Sequence, residues 1–440
     1  MRGYCGLAVA TLAGLVGQSF AGTTVAHPGG VDDIIITADN ILNSTTTRQT
    51  GESKTILKTN AAQAGALPIS VVNNFDSGMY MYLTGQDSSG TPVLLGANGQ
   101  YVYPQADDTG VPKEITANIA LPLNAQGSTT QITLPQALIS ARIWLAHGQL
   151  KFYTVKDGNG VSAIVEPSAA NPNDPSAGIQ WGFIEFNYDG TNIFANISFV
   201  DFVGIPLGMG LTLSTGEQQI VQGLQGGSVN NICSGVKQQA ASDGQIWDRL
   251  CVTSSSGQAL RVLAPNLYES GNPGQFGSYY DGYVNQVWSQ YTSQDLTINT
   301  QTGAGNVACR VSGDQLSCAG DNRAYPKPTI ADIWGCNSGP FAIIGSDNDI
   351  HRAVVPRLCA AFERSTLLLA GGNLQPSLPS SSYYTVSPTN HYSRIVHQYE
   401  VGGLGYAFSF DDVNPDGENA AGTIAGANPS NLKVTVGGWS

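Results

Sequence analysis

The distribution of cysteines constrains the fold of this chain more than any other feature of the sequence. One of the seven cysteines, Cys5, lies near the start, and the other six all fall between positions 233 and 359: Cys233, Cys251, Cys309, Cys318, Cys336 and Cys359. An even number of cysteines in an exported chain indicates disulfide bonds, and six cysteines allow 15 pairings. We therefore predict that three disulfides hold one part of the protein, and that the rest depends on its core alone.

The N-terminus has the three parts of a secretory signal. Arg2 supplies the positive start, residues 6–16 are apolar, and Ser19-Phe20-Ala21 resembles a cleavage site. The apolar run is too short to span a bilayer, and no later run reaches the length of a spanning helix. We predict a signal peptide at residues 1–21 and a soluble, secreted, extracellular protein. A buried N-terminal helix is the other interpretation.

Charge and motif content exclude several classes of partner. The formal net charge is −13 and no run of the sequence is basic, so binding to nucleic acid or to an anionic membrane would lack its main electrostatic term. No Cys or His pattern has zinc spacing, and no phosphate-binding or dinucleotide fingerprint is present. We expect neither a metal nor a cofactor, and a neutral, hydroxyl-rich partner suits this surface best.

Short runs of β-branched residues between turn residues predict a mainly β fold. After a polar linker or pro-segment at residues 22–65, strand-like runs fill residues 66–213. Residues 214–395 mix helical spacing with short strands and hold all six clustered cysteines, which indicates a mixed α/β domain. Residues 396–440 return to β character. A last strand that rejoined the first domain would make the α/β part an insertion.

Two carboxylates interrupt runs that otherwise have the character of buried strands. Glu185 stands in FIEF (183–186) and Asp201 in FVDF (199–202). Acids are rarely buried unless they are paired or hydrogen-bonded. Hydrolysis of a neutral polysaccharide needs one acid that gives a proton and one that activates water or attacks, and Glu185 has the apolar sequence neighbours that suit the first role. In the alternative interpretation each acid is an isolated, hydrogen-bonded group or belongs to a wet strand face.

A plain hairpin cannot bring these two acids together. With both acids on one face of such a hairpin, Asp201 would pair near residue 178, on the order of 20 Å from Glu185 at about 3.3 Å per residue. The strand must therefore bend or bulge near residues 196–201, or the two strands are not simple neighbours. The sequence leaves both options open.

At these residues the chain resembles thaumatin-like proteins. The matching segments are ISVVNNFDSGMYMYLTG, ARIWLAHG, IEFN, NISFVDFVGIPLGM and YAFSFDDV. The closer resemblance, over residues 66–440, is to glycoside hydrolase family 64, the laminaripentaose-producing β-1,3-glucanases. It implies a thaumatin-like β-barrel or sandwich domain at residues 66–213 and a disulfide-bearing mixed α/β domain, with a wide cleft between them. The C-terminal strands would return to the barrel.

The resemblance also implies roles for the two acids. Glu185 corresponds to the general acid and Asp201 to the general base of an inverting enzyme, whose carboxyl groups stand about 6.5–9.5 Å apart. Asn196 replaces an acid of the thaumatin cleft, and Ala146 stands where the cleft arginine is expected. These departures, together with the small number of cysteines, argue against a plain thaumatin-like defence protein.

Candidate residues for binding sugar are more widely spread. Tyr279 and Tyr280 in SYYDGYVNQVW could stack on sugar faces, although aromatics at helical spacing are more often core. Asn187 and Asp189 follow Glu185 and could bond hydroxyls, although Asp189-Gly190 is equally a turn. Asp411 could line the cleft or cap the final turn.

These observations together predict a secreted, monomeric endo-β-1,3-glucanase that cleaves laminarin, curdlan, fungal wall glucan or callose by inversion. Its products would be short laminari-oligosaccharides such as laminaripentaose. The alternative is a non-catalytic, glucan-binding wall or defence protein on the same scaffold. In either case the partner is β-1,3-glucan, without nucleic acid, membrane, metal or cofactor.

Overall fold

The structure is a computed structural model that describes residues 22–47, 65–418 and 422–439. The expected signal at residues 1–21 lies outside the described residues. Within them the strands form five sheets, which are joined by six helices and three disulfides. The predictions of a mainly β fold and of three disulfide bridges are confirmed.

The strands of the first half of the chain are β1 (Thr24–Val25), β2 (Ile41–Leu42), β3 (Leu67–Asn73), β4 (Met79–Gln86), β5 (Pro92–Leu95), β6 (Tyr101–Val102), β7 (Lys113–Glu114), β8 (Leu121–Pro122), β9 (Ser128–Leu134), β10 (Leu138–His147), β11 (Tyr153–Lys156), β12 (Ser162–Val165), β13 (Gln180–Tyr188), β14 (Asn192–Asn196), β15 (Phe202–Val203), β16 (Leu207–Leu213) and β17 (Gln218–Val221). The later strands are β18 (Cys251–Thr253), β19 (Ala259–Leu263), β20 (Leu296–Asn299), β21 (Asn306–Ser312), β22 (Gln315–Cys318), β23 (Tyr325–Pro326), β24 (Leu374–Gln375), β25 (Thr423–Ala427) and β26 (Pro429–Val436).

The α-helices are α1 (Ser228–Asp243), α2 (Pro265–Gly271), α3 (Asp281–Ser293), α4 (Ile330–Gly335), α5 (Asp349–Glu363) and α6 (His391–His397). Short 3-10 turns lie at Val31–Asp33, Trp247–Leu250, Gly339–Phe341, Ser380–Ser382 and Val401–Gly403. Three helices begin at side-chain caps, since Thr329, Asn348 and Asn390 each accept a bond from a backbone N–H of the first turn.

The largest sheet has the strand order β25-β14-β13-β10-β4-β5-β6, with β8 added beside β4. Strand β10 is its centre and pairs antiparallel with β13 on one side and β4 on the other. Nearly all of β10 is buried on both faces, as expected of a strand that is covered above and below. The pairing of β10 with both neighbours determines which residues of β4, β10 and β13 stand opposite one another.

A second sheet has the order β17-β16-β26-β3-β9. Strand β26, from the end of the chain, lies between β16 and β3, antiparallel to the first and parallel to the second. Strand β3 alternates buried and more exposed residues, which is the pattern of a half-buried strand. The last described strand is thus hydrogen-bonded to one that comes more than three hundred residues earlier in the chain.

The N-terminal segment, predicted as a linker or pro-segment at residues 22–65, pairs with the rest of the fold where the structure describes it. Strand β1 pairs in parallel with β18, and β2 pairs with β12. The segment also reaches the interior, because the Asp39 carbonyl accepts from Arg142 at 3.3 Å and the Asn40 carbonyl from the Glu166 amide at 2.8 Å. Its two strands are only two residues long, too short for a pattern to reveal them.

The cysteine-bearing part is built on helices around a small sheet, β23-β22-β21-β20-β24. Each cysteine pairs with the next one along the chain: Cys233 with Cys251, Cys309 with Cys318, and Cys336 with Cys359. Cys309 and Cys318 stand directly opposite each other on β21 and β22. The sequence allowed 15 pairings, and the structure contains the one in which the six cysteines pair consecutively along the chain.

A buried arginine joins the strand-rich and helical parts. Arg261 on β19 is 0% exposed and donates to the carbonyls of Ala177 at 2.7 Å and Ile179 at 2.8 Å. Its guanidinium also lies 5.4 Å from the centre of the Trp181 ring. Burial lowers the pKa of Arg261 to about 10, since the charge is far from water. The hydrogen bonds hold the loop before β13 against the sheet that contains β18 and β19.

A buried ion cluster fixes the segment after α6. His397 donates from Nδ1 to Glu400 at 2.7 Å and from Nε2 to Asp411 at 2.8 Å. Asp411 also accepts from Arg364 at 2.9 Å. Burial disfavours charge on the imidazole, but the two carboxylates outweigh it and raise the pKa of His397 to about 10. A charged His397 therefore stabilises the fold.

We predict that His397→Gln lowers the free energy of unfolding by an amount that depends on pH. Because the folded pKa is raised above the ordinary value of about 6.5, the stabilisation is complete below pH ~6.5 and disappears as pH rises toward 10. At 1.36 kcal/mol per unit of pKa, the difference at low pH is on the order of a few kcal/mol. Urea unfolding of both proteins across this range measures it.

The exposed His27 provides the matched control, and His27→Gln should leave the urea midpoint unchanged at every pH. A stability difference for His397→Gln that stays constant between pH 6 and pH 10 would show that the ring does not carry its charge in the folded state.

Candidate active site

A row of polar side chains crosses the large sheet on one face. Thr84 on β4 stands opposite Arg142 on β10, which stands opposite Glu185 on β13. Glu185 in turn stands opposite Asn196 on β14. Residues directly opposite in antiparallel strands share a face, so these four side chains form a continuous polar row in a largely apolar sheet.

Glu185 is bound through one oxygen. Arg142 donates to its Oε1 from Nε at 3.1 Å, and Arg142 Nη2 forms an ion pair with the same oxygen at 3.0 Å. Within the part of the chain that the structure describes, no hydrogen bond is made to Oε2. Glu185 is 9% exposed, so the carboxylate is close to the surface without being open on all sides.

The expected apolar setting for Glu185 is wrong. Its sequence neighbours Ile184 and Phe186 are each 0% exposed and lie on the opposite face, because side chains alternate along a strand. What Glu185 contacts is the guanidinium of Arg142. The contacts across the sheet, not the residues beside it in the sequence, define its environment.

A second carboxylate holds Arg142 from the other side. Glu166, just after β12, accepts from Arg142 Nη1 at 3.0 Å through Oε2 and from Thr84 Oγ1 at 2.7 Å through Oε1. Glu166 is 1% exposed. The indole of Trp144 donates to Thr84 Oγ1 at 3.0 Å, which fixes the hydroxyl that in turn fixes Glu166.

Arg142 is buried yet charged. Its guanidinium lies 4.1 Å from the centre of the Phe183 ring. Burial acts to lower its pKa, but the carboxylates of Glu185, Glu166 and Asp201 outweigh burial and raise it. Asp201 thus belongs to the same electrostatic neighbourhood as Glu185.

The chain leaves the large sheet between the two acids. Strand β14 ends at Asn196, and Ser198 then forms an isolated parallel bridge with Tyr406. Phe202 and Val203 pair with β19 in a different sheet, while the Asp201 carbonyl accepts from the Ala264 amide at 2.8 Å. The chain thus bends after β14, and Asp201 comes just before β15, a strand that is not a neighbour of β13.

Asp201 lines a recess beside the polar row. It is partly exposed, and the recess is also lined by Ser198, Phe199, Phe202 and Phe183. Phe183 is the ring that Arg142 covers, so one phenyl group borders both Asp201 and the cation that binds Glu185. The two predicted catalytic acids therefore border the same Arg142–Phe183 pair.

The residues predicted to bind sugar beside Glu185 are partly exposed. Asn187 lies on the same face, two residues on, and its Oδ1 accepts from the Ser140 amide at 2.7 Å. Asp189 accepts from the amides of Thr191 at 2.8 Å and Asn192 at 2.6 Å. Burial opposes the effect, but these bonds lower the pKa of Asp189, as expected of a carboxylate that closes a turn. The turn interpretation of Asp189 is the one that the structure supports.

The tyrosines predicted to stack on sugar belong to the helical core. Tyr280 is 1% exposed, and its ring centre lies 5.0 Å from that of Trp334. Tyr279 also packs on Trp334, and its hydroxyl donates to the Thr389 carbonyl at 3.0 Å. A ring enclosed by other side chains has no open face for a sugar, so the proposed stacking by Tyr280 is wrong and that by Tyr279 has no support.

Asp411 does not line a cleft. It is 2% exposed and is bound by Arg364 and His397 in the ion cluster described above. Its alternative role, fixing the final turn, is met by the bond that the Ala407 amide donates to it at 2.9 Å.

Sequence reasoning assigned no role to Arg142 or Glu166. Arg142 stands alone in the apolar run ARIWLA (141–146), and Glu166 directly follows the apolar run AIV (163–165). Each is an isolated charge in or beside a buried strand, the same kind of signal that pointed to Glu185. The sequence does not show that Arg142, Glu166 and Glu185 lie together, because this depends on how the strands pair.

The residues that the structure describes lack two features, a metal-binding cluster and a membrane-spanning helix. They contain no group of three or more His, Cys, Asp or Glu side chains arranged to hold a metal ion. No helix in this part of the chain combines the length and the apolar character that crossing a membrane requires.

Comparison with known proteins identifies relatives over most of the chain. The family model for glycoside hydrolase family 64, described as beta-1,3-glucanase, matches residues 65–436. The chain is 27% identical over 363 residues to a glucan endo-1,3-beta-glucosidase of Cellulosimicrobium cellulans, which is 80% of this chain and 62% of that protein. It thus spans about three-fifths of the length of the curated relatives it matches.

Solved structures have the same fold. A laminaripentaose-producing beta-1,3-glucanase, crystallised with laminaritetraose, has a TM-score of 0.72 and 25% identity, and the match covers 85% of this chain and 99% of that one. A beta-1,3-glucanase domain from Clostridium beijerinckii has a TM-score of 0.63 and 20% identity over 85% of this chain and 98% of its own, a likeness of fold. Because the family model covers most of the sequence, this chain belongs to glycoside hydrolase family 64.

Proposed function

We propose that this protein is a secreted endo-β-1,3-glucanase that acts by inversion and releases short laminari-oligosaccharides such as laminaripentaose. Membership of glycoside hydrolase family 64 supports the substrate class. So do the glucan endo-1,3-beta-glucosidase relative and the similar structure that holds laminaritetraose. The single observation that carries the proposal is that Glu185 and Asp201 border the same Arg142–Phe183 pair.

Glu185 is the proposed general acid. Arg142 fixes Oε1, which leaves Oε2 as the oxygen that can carry a proton to the glycosidic oxygen. A carboxyl group that is held at one oxygen keeps its direction through the proton transfer, and this favours a reactive geometry. Glu166 is the other acid on Arg142, and at 1% exposure it is too buried to reach a polymer.

Asp201 is the proposed general base. It takes a proton from a water molecule, which attacks the anomeric carbon from the face opposite the departing oxygen. This reaction needs about 6.5–9.5 Å between the two carboxyl groups, so that the water and the sugar fit between them. Asp201 lies just before β15, in a different sheet from the strand that carries Glu185, and this is consistent with acids on two sides of one substrate.

The wider architecture follows from the family resemblance. We infer a thaumatin-like barrel at residues 66–213 and a wide cleft between it and the helical part, occupied by a neutral glucan chain. Asn187 is our candidate for a bond to a sugar hydroxyl, because it is partly exposed and lies on the Glu185 face. Tyr280 and Asp411 have no part in this proposal.

Export is part of the proposal. The signal-like sequence at residues 1–21 supports it, and so do three disulfides, which persist in oxidising compartments. We further infer a monomeric enzyme whose partner is β-1,3-glucan.

One test of the proposed function concerns the proton donor. Glu185→Gln removes the transferable proton but keeps a group of the same shape, so release of soluble sugar from laminarin should fall about 10²–10⁴-fold. Binding to insoluble curdlan should persist, as measured by co-sedimentation. Glu217→Gln, at an exposed turn, is the matched control and should retain full activity.

Two results would contradict this assignment. Turnover near the parental rate in Glu185→Gln would remove Glu185 from catalysis. A parental protein that sediments with curdlan and releases no sugar would instead be the non-catalytic binder.

Another test of the proposed function concerns stereochemistry. Hydrolysis of the β-linkage by water activated at Asp201 should give the α-anomer first, as followed by NMR before mutarotation. Asp201→Asn should slow the reaction by about 10²–10⁴-fold without changing that anomer. First appearance of the β-anomer would mean a covalent intermediate, and Asp201 would then be a nucleophile.

A further inference from the structure

A segment outside the family match lies against the proposed active site. The family model begins at residue 65, whereas residues 35–46, which we call the strap, come earlier in the chain. The strap is nonetheless part of the fold, since its strand β2 pairs with β12. Beside this pairing, the Asn40 carbonyl accepts from the Glu166 amide at 2.8 Å. The strap therefore reaches the residue that binds Arg142.

The strap also contacts the guanidinium of Arg142 directly. The Asp39 carbonyl accepts from Nη1 at 3.3 Å, and the same nitrogen donates to Glu166 at 3.0 Å. Nε donates to Glu185 at 3.1 Å. Because a guanidinium is planar and its N–H groups point in fixed directions, the acceptors on Nη1 also set the direction of Nε. The strap thus helps to orient the nitrogen that binds Glu185.

One buried side chain fixes the peptide that carries this carbonyl. Asn40 is 3% exposed, accepts at Oδ1 from the Thr37 amide at 2.7 Å, and donates from Nδ2 to the Ile35 carbonyl at 3.0 Å. Asparagine often closes a turn through bonds of this kind to nearby backbone. The amide nitrogen of Asn40 belongs to the same peptide group as the Asp39 carbonyl. The direction of that carbonyl therefore depends on the Asn40 side chain.

The other end of the strap is bonded to the strands that carry the polar row. The Thr46 carbonyl accepts from Gln86 Nε2 at 3.0 Å and from Ser140 Oγ at 3.2 Å. Gln86 lies on β4 and Ser140 on β10, which are the strands of Thr84 and Arg142. Both ends of the strap are therefore bonded to the frame of the proposed active site.

We propose that the strap is a positioning element of the active site, in which Asn40 presents the Asp39 carbonyl to Arg142 and so keeps the guanidinium oriented toward Glu185. The strap takes no part in the reaction itself and acts through Arg142. A part of the chain outside the family match thus contributes to catalysis. This inference rests on the proposed function, which it deepens.

The first test separates kcat from KM. Asn40→Ala removes both side-chain bonds that fix the Asp39 carbonyl, so Glu185 should be less well oriented and kcat on laminarin should fall about 10–100-fold. KM and co-sedimentation with curdlan should stay at the parental values, because the strap acts on Arg142 and not on the sugar. Asn98→Ala is the matched control and should leave kcat unchanged. Asn98 also fixes a turn, by accepting from the Gln100 amide at 3.1 Å, but in an exposed hairpin.

Two outcomes of this test would overturn the proposal. If Asn40 is purely structural, Asn40→Ala lowers the urea midpoint and leaves kcat per folded molecule at the parental value. If the strap instead contacts the glucan, Asn40→Ala raises KM and leaves kcat unchanged.

Gln86→Leu covers the case in which Asn40→Ala does not fold. It removes the side-chain bonds that Gln86 donates to the strap and leaves Asn40 in place, so kcat should fall while KM stays unchanged. In that case a parental kcat in Gln86→Leu would refute the positioning role.

A combination of variants tests whether the strap acts through Arg142. Arg142→Lys keeps the positive charge but lacks the planar guanidinium, so it should lower kcat by itself. In that background Asn40→Ala should cause little further loss, because the two changes remove the same alignment. Losses of kcat that multiply in the double variant would contradict an action through Arg142.

An NMR measurement separates this inference from the proposed function. The Nε–H signal of Arg142, identified as the one that Arg142→Lys removes, should exchange with water several-fold faster in Asn40→Ala than in the parent or in Asn98→Ala. Unchanged exchange would mean that the strap does not hold the guanidinium. The measurement needs no catalysis, so a parent that fails to hydrolyse laminarin would refute the proposed function and leave the exchange rate to decide the role of the strap.

Discussion

Arg142 donates to Glu185 on one side and to Glu166 on the other, and this double ion pair allows charged groups to lie within an eight-stranded sheet. An unpaired ion at such a depth would cost several kcal/mol of folding free energy. Strand β10 can carry the arginine because it is paired along both edges and cannot shift its register without turning every side chain to the wrong face. The pairing of β10 with β4 and β13 therefore fixes the positions of Arg142 and Glu185 relative to each other.

Much of the frame could be predicted from the sequence, because buried strands and cysteine spacing are local signals. The acids at 185 and 201 stood out for the same reason, as charges in apolar runs. Their environment could not be predicted in this way. Ile184 and Phe186 adjoin Glu185 in the chain but face away from it, and its real neighbour, Arg142, is 43 positions distant. Register across strands is set by the whole sheet, and no short stretch of sequence contains it.

Other predictions failed where a single residue type has two common uses. Tyr279 and Tyr280 could have faced a sugar or filled a core, and helical spacing alone did not decide between these uses. Asp411 could have lined a groove, but a buried imidazole and a buried guanidinium both need its charge. The polar segment 22–47 resembled a linker because backbone carbonyls, which carry no sequence signal, make its contacts with Arg142 and Glu166. In each case the role is decided by a contact with a residue far away in the sequence: Trp334 for Tyr280, Arg364 for Asp411 and Arg142 for Asp39.

The parallel pairing of β26 with β3 has a consequence for how the molecule is made. During synthesis, β3 leaves the ribosome more than three hundred residues before β26, and the edge it will share with that strand stays unpaired throughout. The second sheet cannot close until translation has passed Val436. Between the synthesis of β3 and that of β26 the nascent chain therefore keeps an open sheet edge, which leaves a long interval in which a chaperone can engage it before the barrier to unfolding rises.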